Sequence, residues 1–377
     1  MNSSQNYFSK LSFQQKQWIK EGNFATHLLS WYDEHHRFLP WRTTHDPYKI
    51  WISEIVLQQT RVAQGMSYYK RIVATFPTVN DLAAASEQEI LAIWQGLGYY
   101  RRALNLHSCS KKIVQEYNSQ FPTSYQSLLK LPGIGPYTAA AIASIAFEER
   151  VAVVDGNVHR VLARIFGIRD NIEASATKKK FQIFAHSLLP IKRLGDYNQA
   201  VMEFGSLFCT PNKPSCQSCI FQNICIANQQ SQQHLLPVKE KNIKIKHRFF
   251  HYLILQEENK FYVQKRQKED IWKRLYQFYL IEEDKKKDLI NLNDPIIDLI
   301  KCNLIKWKEY PVVYQHQLTH QRLHIIFTHV NVNNEQIEYI GPLMKEKQLQ
   351  PYTLKELLQL PLPIVLARFV QKVLSNG

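Results

Sequence analysis

Two carboxyl groups and four thiols stand where they could do chemistry. Glu54 is the only acid among Ile50, Trp51, Ile55 and Leu57. A carboxyl so surrounded should resist ionisation, and one that keeps its proton near neutral pH can act as a general acid. A buried Glu satisfied by a nearby hydroxyl or Arg is the plainer alternative. Asp155 ends the run Val151-Ala152-Val153-Val154 and precedes a helical pattern, a favoured N-cap setting. A carboxylate fixed there can also oppose positive charge developing on a substrate. The cysteines form Cys209-x6-Cys216-x2-Cys219-x5-Cys225, four thiols within 17 residues. Such a cluster can hold zinc or an iron-sulfur centre, and spacing decides between them only in part, since zinc sites more often use two Cys-x2-Cys pairs.

A fourth feature suits an anion. Leu131-Pro132-Gly133-Ile134-Gly135-Pro136-Tyr137-Thr138-Ala139 opens onto the small-residue stretch Ala139-Ala140-Ala141-Ile142-Ala143. Gly133 and Gly135 would let backbone amides approach a phosphate at a helix start. A tight helix-helix connection is the competing reading.

These groups need a scaffold. Helical periodicity runs from about residue 13 to 208, broken at Asp46-Pro47, Phe76-Pro77-Thr78, Phe121-Pro122-Thr123 and Leu131-Pro132-Gly133. The Gln-rich stretch after Cys225, then Pro237 and a Lys-rich run, reads as a linker. Beyond it, 248–255 and 260–264 flank Glu257-Glu258-Asn259 as a hairpin, and Val312 to Val332 is rich in β-branched and aromatic residues. Helices are expected around 354–360 and 363–374. The expected division is therefore an N-terminal extension (1–20), an all-α domain (21–228), a linker (229–246) and an α+β domain (247–377). No internal repeat is visible, and Lys285-Lys286-Lys287 reads as a solvated loop.

Composition narrows the partner. Lys and Arg number 47 against 32 acids, a net +15 spread over both halves of the 377 residues. That excess suits a polyanion, although ribosome-associated and membrane-surface proteins share it. The first 30 residues carry Lys10, Lys16, Lys20 and Glu21 with no apolar stretch, and no run of about 18 apolar residues occurs. A soluble, cytosolic protein without a membrane partner is expected. Six cysteines are too few for a disulfide scaffold, so the cluster points to metal.

Residues 21–228 resemble the MutY-type adenine glycosylases of the helix-hairpin-helix, iron-sulfur DNA glycosylase superfamily. The resemblance rests on Leu39-Pro40-Trp41-Arg42, Ser53-Glu54-Ile55-Val56-Leu57-Gln58-Gln59-Thr60, Gly96-Leu97-Gly98-Tyr99-Tyr100-Arg101-Arg102-Ala103, the Gly-rich hairpin, Asp155-Gly156-Asn157 and the cysteine loop. It implies a 4Fe-4S cluster on Cys209, Cys216, Cys219 and Cys225 that braces a loop and does no base chemistry. It makes Glu54 the acid that protonates the departing adenine, at N7, and Asp155 the stabiliser or covalent partner at the sugar, with Tyr137 and Asn157 positioning them. Arg37, Trp41 and Leu57 would line the adenine pocket, Thr60 would be a further substrate contact, and Gln59 and Tyr99 would wedge into the base stack. Trp41 and Tyr99 read equally well as core aromatics. Lyase relatives carry a lysine where this chain has Tyr137, and a phenol cannot form the Schiff base that β-elimination needs.

The second domain resembles the Nudix-like domain of the same enzymes, through Gln264-Lys265-Arg266 and Ile271-Trp272-Lys273-Arg274-Leu275-Tyr276-Gln277-Phe278. It lacks the Nudix acid box, so pyrophosphate hydrolysis is not expected. Where the family has Phe-Ser-His, this chain has Leu318-Thr319-His320, with Thr319 facing 8-oxoguanine and His320 a phosphate. A strand end is the plainer reading. Lys273-Arg274 replaces the usual Gly-Gly. The fold implied is multi-domain: an all-α helix-hairpin-helix domain with a 4Fe-4S loop, then an α+β Nudix-like domain. The activity implied is monofunctional excision of adenine opposite 8-oxoguanine or guanine in double-stranded DNA, by a monomer, associated with the nucleoid if bacterial. An endonuclease III-like pyrimidine glycosylase/lyase and a non-catalytic DNA-binding iron-sulfur protein are the alternatives.

Overall fold

The computed structural model describes residues 7–240, 245–309 and 313–374. Its contacts divide the chain into two compact units, Met1–Ala84 with Ser108–Lys241, and Ala85–His107 with Asn242–Gly377. Among the described residues no helix is long and apolar enough to cross a membrane.

The first unit is helical, as expected. It begins with α1 (Phe13–Lys20), α2 (Asn23–His35), α3 (Pro47–Leu57), α4 (Val62–Thr75) and α5 (Val79–Ala84). Next in the chain come α6 (Glu87–Ile93), in the second unit, and α7 (Arg101–Glu116), which runs across the division. The first unit continues with α8 (Tyr125–Leu128), α9 (Pro136–Phe147), α10 (Gly156–Phe166), α11 (Ser175–Ser187), α12 (Leu194–Leu207) and α13 (Ile226–Gln229). α9 is apolar on almost every side, with Thr138 through Ile145 buried, and it packs against α3 and α12. Surrounded on all faces, it fixes the geometry of the hairpin that precedes it.

The units depart from the expected division at residues 7–20, in the linker and at 85–107. Residues 7–20, expected as part of an N-terminal extension, pack on the helical unit: Tyr7 and Leu11 are buried in the same core as Phe181 and Phe184. Leu236, in the expected linker, is also buried there, and the Arg164 guanidinium donates to the carbonyls of Gln233 (2.9 Å) and Leu236 (3.0 Å). Residues 1–6 and 241–244, parts of the extension and linker, lie outside the described residues.

The second unit holds a seven-stranded mixed sheet of β1 (Lys246–Glu257), β2 (Lys260–Lys265), β3 (Tyr276–Glu283), β4 (Lys306–Glu309), β5 (Tyr314–Gln317), β6 (Gln321–Asn331) and β7 (Gln350–Thr353). Their order is β4-β6-β1-β3-β2-β7, with β5 on β6. β1 and β6 are parallel over eleven registered pairs, from Lys246↔Gln321 to Gln256↔Asn331. The expected hairpin forms, yet β1 pairs β2 only at Gln256↔Phe261 and Glu257↔Lys260. Residues 250–255 are all buried because both faces of β1 are covered, as parallel pairing at the centre of a sheet requires. On one face Leu253 and Leu255 meet α14 (Pro295–Lys301) and α15 (Asn334–Glu346). On the other, Phe327 stacks on Phe369 of α17 (Ile364–Phe369), ring centroids 3.8 Å apart. α16 (Leu354–Leu357) starts the expected C-terminal pair. The sequence reading passed over α14 and α15, and α15 carries Pro342 inside it, a signal that normally breaks a helix.

Residues 85–107 join this unit through specific contacts. Lys265 Nζ sits 3.0 Å from Glu87, and the Gln95 amide and Tyr100 hydroxyl each lie 3.5 Å from the Leu362 carbonyl.

Candidate active site

α3 presents Glu54. Asp46 caps the helix, its Oδ1 accepting from the Tyr48 amide at 2.9 Å, and Pro47 takes the first position, where its missing N–H costs nothing. The helix is buried from Ile50 through Val56, so Glu54 is only 7% exposed. Burial pushes its carboxyl up to about 7; a hydrogen bond from Tyr137 and the charge of Arg42 pull the other way, and nearby Asp155 adds to the rise. The apolar setting read from sequence thus has its expected consequence.

Asp155 caps α10. Its Oδ1 accepts from the Val158 amide at 2.8 Å, and its Oδ2 from Asn157 Nδ2 at 2.7 Å. Burial raises this carboxyl too, opposed by those hydrogen bonds. Asn157 is itself held, since its Oδ1 accepts from Arg160 Nη2 at 2.9 Å. Gly205 of α12 lies flat against it: a Cβ there would come within 2.7 Å of Asn157 Cβ, so only glycine fits.

Glu54 and Asp155 line one cleft, together with Leu57, Gln58, Gln59, Tyr137 and Val154, enclosing about 230 Å³. That is modest beside the ~300–1,000 Å³ of drug-sized pockets and suits a single flat ring system. Tyr137 enters from the first turn of α9; its hydroxyl bonds Glu54 and lies 3.5 Å from Met202 Sδ. Gln58 leans on Thr138, 3.3 Å between Nε2 and Oγ1. Gln59 is exposed at φ 55°, a left-handed conformation that only a tightly constrained turn imposes on a side-chain-bearing residue.

The other residues singled out from sequence in this unit lie elsewhere. Thr60 closes the turn after α3, its amide on Leu57 O and its hydroxyl on Gln58 O. Trp41 is buried edge-on against Tyr69 at 4.9 Å. Arg37 is bound to Glu203 through Nε at 2.8 Å and Nη2 at 2.5 Å, and Arg42 grips the same carboxylate with two contacts of 2.7 Å. Burial alone would raise the Glu203 carboxyl, but the two guanidiniums overcome it and hold the group far below the usual range. Sequence reasoning missed Glu203, although it is a lone acid in the apolar stretch Val201-Met202-Glu203-Phe204, the signature that betrayed Glu54.

The hairpin between α8 and α9 has Gly133 at φ 74° and Gly135 as the N-cap of α9, with no atom within 4 Å of where a Gly135 Cβ would stand. No side chain caps the start of this twelve-residue helix. Cys209, Cys216, Cys219 and Cys225 line a single cavity with Arg164. Donors point at the sulfurs: Arg164 Nη1 on Cys209 at 3.5 Å, the Phe221 amide on Cys219 at 3.4 Å and Gln233 Nε2 on Cys216 at 3.7 Å. Among the described residues, no three His, Cys, Asp or Glu side chains close on a single ion.

In the second unit, Leu318-Thr319-His320 forms the tip of the β5–β6 hairpin, closed by the Leu318 amide on Gln321 O at 2.8 Å and tied to β1 by Lys246 N on His320 O at 2.9 Å. It is a turn and not a strand end. Thr319 and His320 are exposed, and the Thr319 hydroxyl is 2.5 Å from that of Tyr99. Tyr99 is half-exposed at φ 49°, so it is no core aromatic. Of the Lys273-Arg274 pair, Arg274 adopts φ 68°, a conformation that glycine would take without strain, and the preceding Trp272 adopts φ 60°.

Comparison with known proteins identifies the family. The HhH-GPD superfamily of base excision DNA repair proteins matches residues 52–186, and the NUDIX domain matches 250–372. An adenine DNA glycosylase of Buchnera aphidicola subsp. Acyrthosiphon pisum is 33% identical over 355 residues, 94% of this chain and 97% of that one. The Rattus norvegicus adenine DNA glycosylase is 44% identical over 219 residues, 56% of this chain and 42% of the rat protein. Among solved structures, a thermostable thymine-DNA glycosylase superposes with TM-score 0.52 at 28% identity, covering 56% of this chain and 99% of its own. With a helical unit that brings Glu54, Tyr137 and Asp155 into one cleft, and a relative matched nearly end to end, the chain belongs to the adenine DNA glycosylases of base excision repair.

Proposed function

We propose that this enzyme hydrolyses the N-glycosidic bond of adenine standing opposite 8-oxoguanine or guanine in double-stranded DNA and leaves the strand uncut. The observation that carries the reading is a carboxyl pushed up to about 7 in the same cleft as a second carboxyl, with a phenol hydrogen-bonded to the first. Adenine is a poor leaving group as an anion. Glu54, protonated near neutral pH, supplies a proton at N7 as the C1′–N9 bond breaks. Asp155 holds negative charge against the oxocarbenium that develops at the sugar, while Asn157 and the Val158 amide fix its oxygens. Water adds hydroxide at C1′, its proton returns to Glu54, and the products are adenine and an abasic site. Tyr137 donates to Glu54 and offers no amine, so the chemistry stops at base removal.

Reaching that cleft requires the adenine to leave the helix. Gln59 and Tyr99, exposed and held at positive φ, suit the role of wedges in the emptied stack. Gly133 and Gly135 lead the α9 amides to a phosphate and Leu57 walls the pocket, while substrate contacts by Arg37, Trp41 and Thr60 rest on the resemblance alone. Thr319 reads the 8-oxoguanine edge and His320 a neighbouring phosphate. One chain carries both carboxylates, so a monomer suffices.

Cys209, Cys216, Cys219 and Cys225 would hold a 4Fe-4S cluster. Four thiols lining one cavity, each of three receiving a hydrogen-bond donor, fit an anionic cluster better than a zinc ion, whose four sulfurs would have to close at about 2.3 Å from one point. Held by those four thiols, such a cluster would close the loop 209–225 on itself and brace it structurally.

The test is incubation with duplexes carrying adenine opposite 8-oxoguanine, adenine opposite guanine, or thymine glycol, followed by alkali. Breaks that need alkali and appear only in the adenine duplexes support the reading. Cleavage without alkali, or at thymine glycol, overturns it.

A further inference from the structure

The N-terminal segment lies outside the matched superfamily region, which begins at residue 52, yet it bonds Ile165, a residue lining the cysteine cavity. α1 is capped by a reciprocal pair: Ser12 Oγ accepts from the Gln15 amide, and Gln15 Oε1 accepts from the Ser12 amide at 3.2 Å. Capping uses only one end of the Gln15 side chain. The other end, 4% exposed as a residue, donates from Nε2 to Ile165 O at 3.2 Å and to Ile224 O at 3.3 Å.

Those two carbonyls flank one cysteine. Ile224 immediately precedes Cys225, and Ile165 follows Arg164, whose carbonyl is 3.4 Å from Cys225 Sγ. One amide group therefore ties the end of α10 to the last residue before the fourth thiol. One turn along α1, Trp18 packs edge-on against Phe221 at 5.8 Å, and Phe221, fully buried, sits in the loop between Cys219 and Cys225. Buried carbonyls left without a donor are costly, so these contacts fix where the Cys219–Cys225 loop lies.

We infer that Gln15 is a positioning residue for Cys225, and that α1 is a clamp which slows release of the iron-sulfur cluster. This rests on the cluster reading above. The Tyr7 hydroxyl, 2.9 Å from Asp170 Oδ2, belongs to the same segment and the same core but bonds no residue of the cysteine loop, which makes it the control.

The experiment follows cluster loss in the purified full-length protein exposed to ferricyanide and a chelator, by visible absorbance and released iron, with thermal midpoints measured in parallel. Gln15→Met keeps the volume and removes both Nε2 bonds, together with the cap bond from the Ser12 amide. Each such bond is worth several-fold, so release about tenfold faster than in the unsubstituted protein is expected. Trp18→Ala, at a half-buried position that folding tolerates more easily, should speed release several-fold. Tyr7→Phe should leave it within about twofold while lowering the midpoint. Unchanged release in Gln15→Met and Trp18→Ala overturns the inference. So does equal acceleration in Tyr7→Phe, which would reduce the effect to general stability. Zinc in place of iron in the unsubstituted protein overturns the cluster reading itself, and the inference with it, before any variant is compared.

Discussion

The cleft of the first unit and the hairpin tip of the second solve opposite problems. Glu54 and Asp155 are withdrawn from water, and burial moves both carboxyls up from their ordinary range. Thr319 and His320 stand in solvent at the end of a two-stranded turn, held by backbone bonds to β6 and β1. Chemistry on a bond needs a low dielectric, where a proton can be kept and a charge is worth more. Reading a partner base, the role proposed for the tip, needs reach and a fixed hydroxyl. The contrast implies that substitutions in the cleft cost rate, and substitutions at the tip cost discrimination.

The largest effect should come from Glu54→Gln. Loss of the proton donor is expected to lower single-turnover excision of adenine opposite 8-oxoguanine by about 10²–10⁴-fold, with duplex binding retained. A variant that keeps wild-type rate would break the assignment. Asp155→Asn should cost about 10²–10³-fold. Asn caps a helix as well as Asp, so its thermal midpoint should barely move, whereas Asp155→Ala should lose about 1 kcal/mol of stability besides the rate. Equal rates for Asp155→Asn and the unsubstituted enzyme would leave Asp155 a cap and nothing more.

A pH profile sharpens the same side of the comparison. With its carboxyl pushed up to about 7 from 4.5, Glu54 is protonated below that value, so excision should fall about tenfold per pH unit above it, and the fall should vanish in Glu54→Gln. Stability follows the same group. The unfolded chain ionises Glu54 at its ordinary pKa and the folded chain resists, so the stability that the protonated group contributes is complete below about 4.5 and is lost as pH rises to about 7. Glu54→Gln escapes that loss. Urea unfolding should find it more stable than the parent at pH 8, by on the order of 2–3 kcal/mol, and nearly equal at pH 4.

Sequence legibility differed between the two regions for the same physical reason. Glu54 could be read because an acid alone in an apolar helix has few structural explanations, and Asp155 because a cap announces itself by position. Glu203 had the same signature and was missed, since nothing local shows that Arg37 and Arg42 converge on it from residues far away in the chain. The roles proposed for Arg37 and Trp41 came from resemblance, and their observed partners, Glu203 and Tyr69, are long-range contacts that no spacing encodes. The all-α and α+β halves were legible from periodicity. α15 was not, because Gly341-Pro342 interrupts a pattern that tertiary packing of Ile340 and Met344 restores. The assignment of residues 85–107 to the second unit likewise depends on contacts such as Lys265 with Glu87.

The smallest expected effect lies at the tip and tests the contrast most finely. Thr319 and Tyr99 share a hydrogen bond of 2.5 Å, so the group proposed to read 8-oxoguanine is held by the one proposed to wedge beside it. Thr319→Val keeps the shape and removes the hydroxyl; Tyr99→Phe keeps the ring and removes the phenol. A single exposed hydrogen bond is worth about 1 kcal/mol, so each change should lower the preference for adenine opposite 8-oxoguanine over adenine opposite guanine by roughly threefold to tenfold. The rate with saturating enzyme should stay close to normal, because neither residue belongs to the cleft. The double variant should lose little more than either single one, since both remove the same bond. Independent, additive losses would mean that Thr319 and Tyr99 contact the DNA separately. A large fall in the saturating rate would mean that the tip takes part in the chemistry, and the division of labour between the two regions would fail.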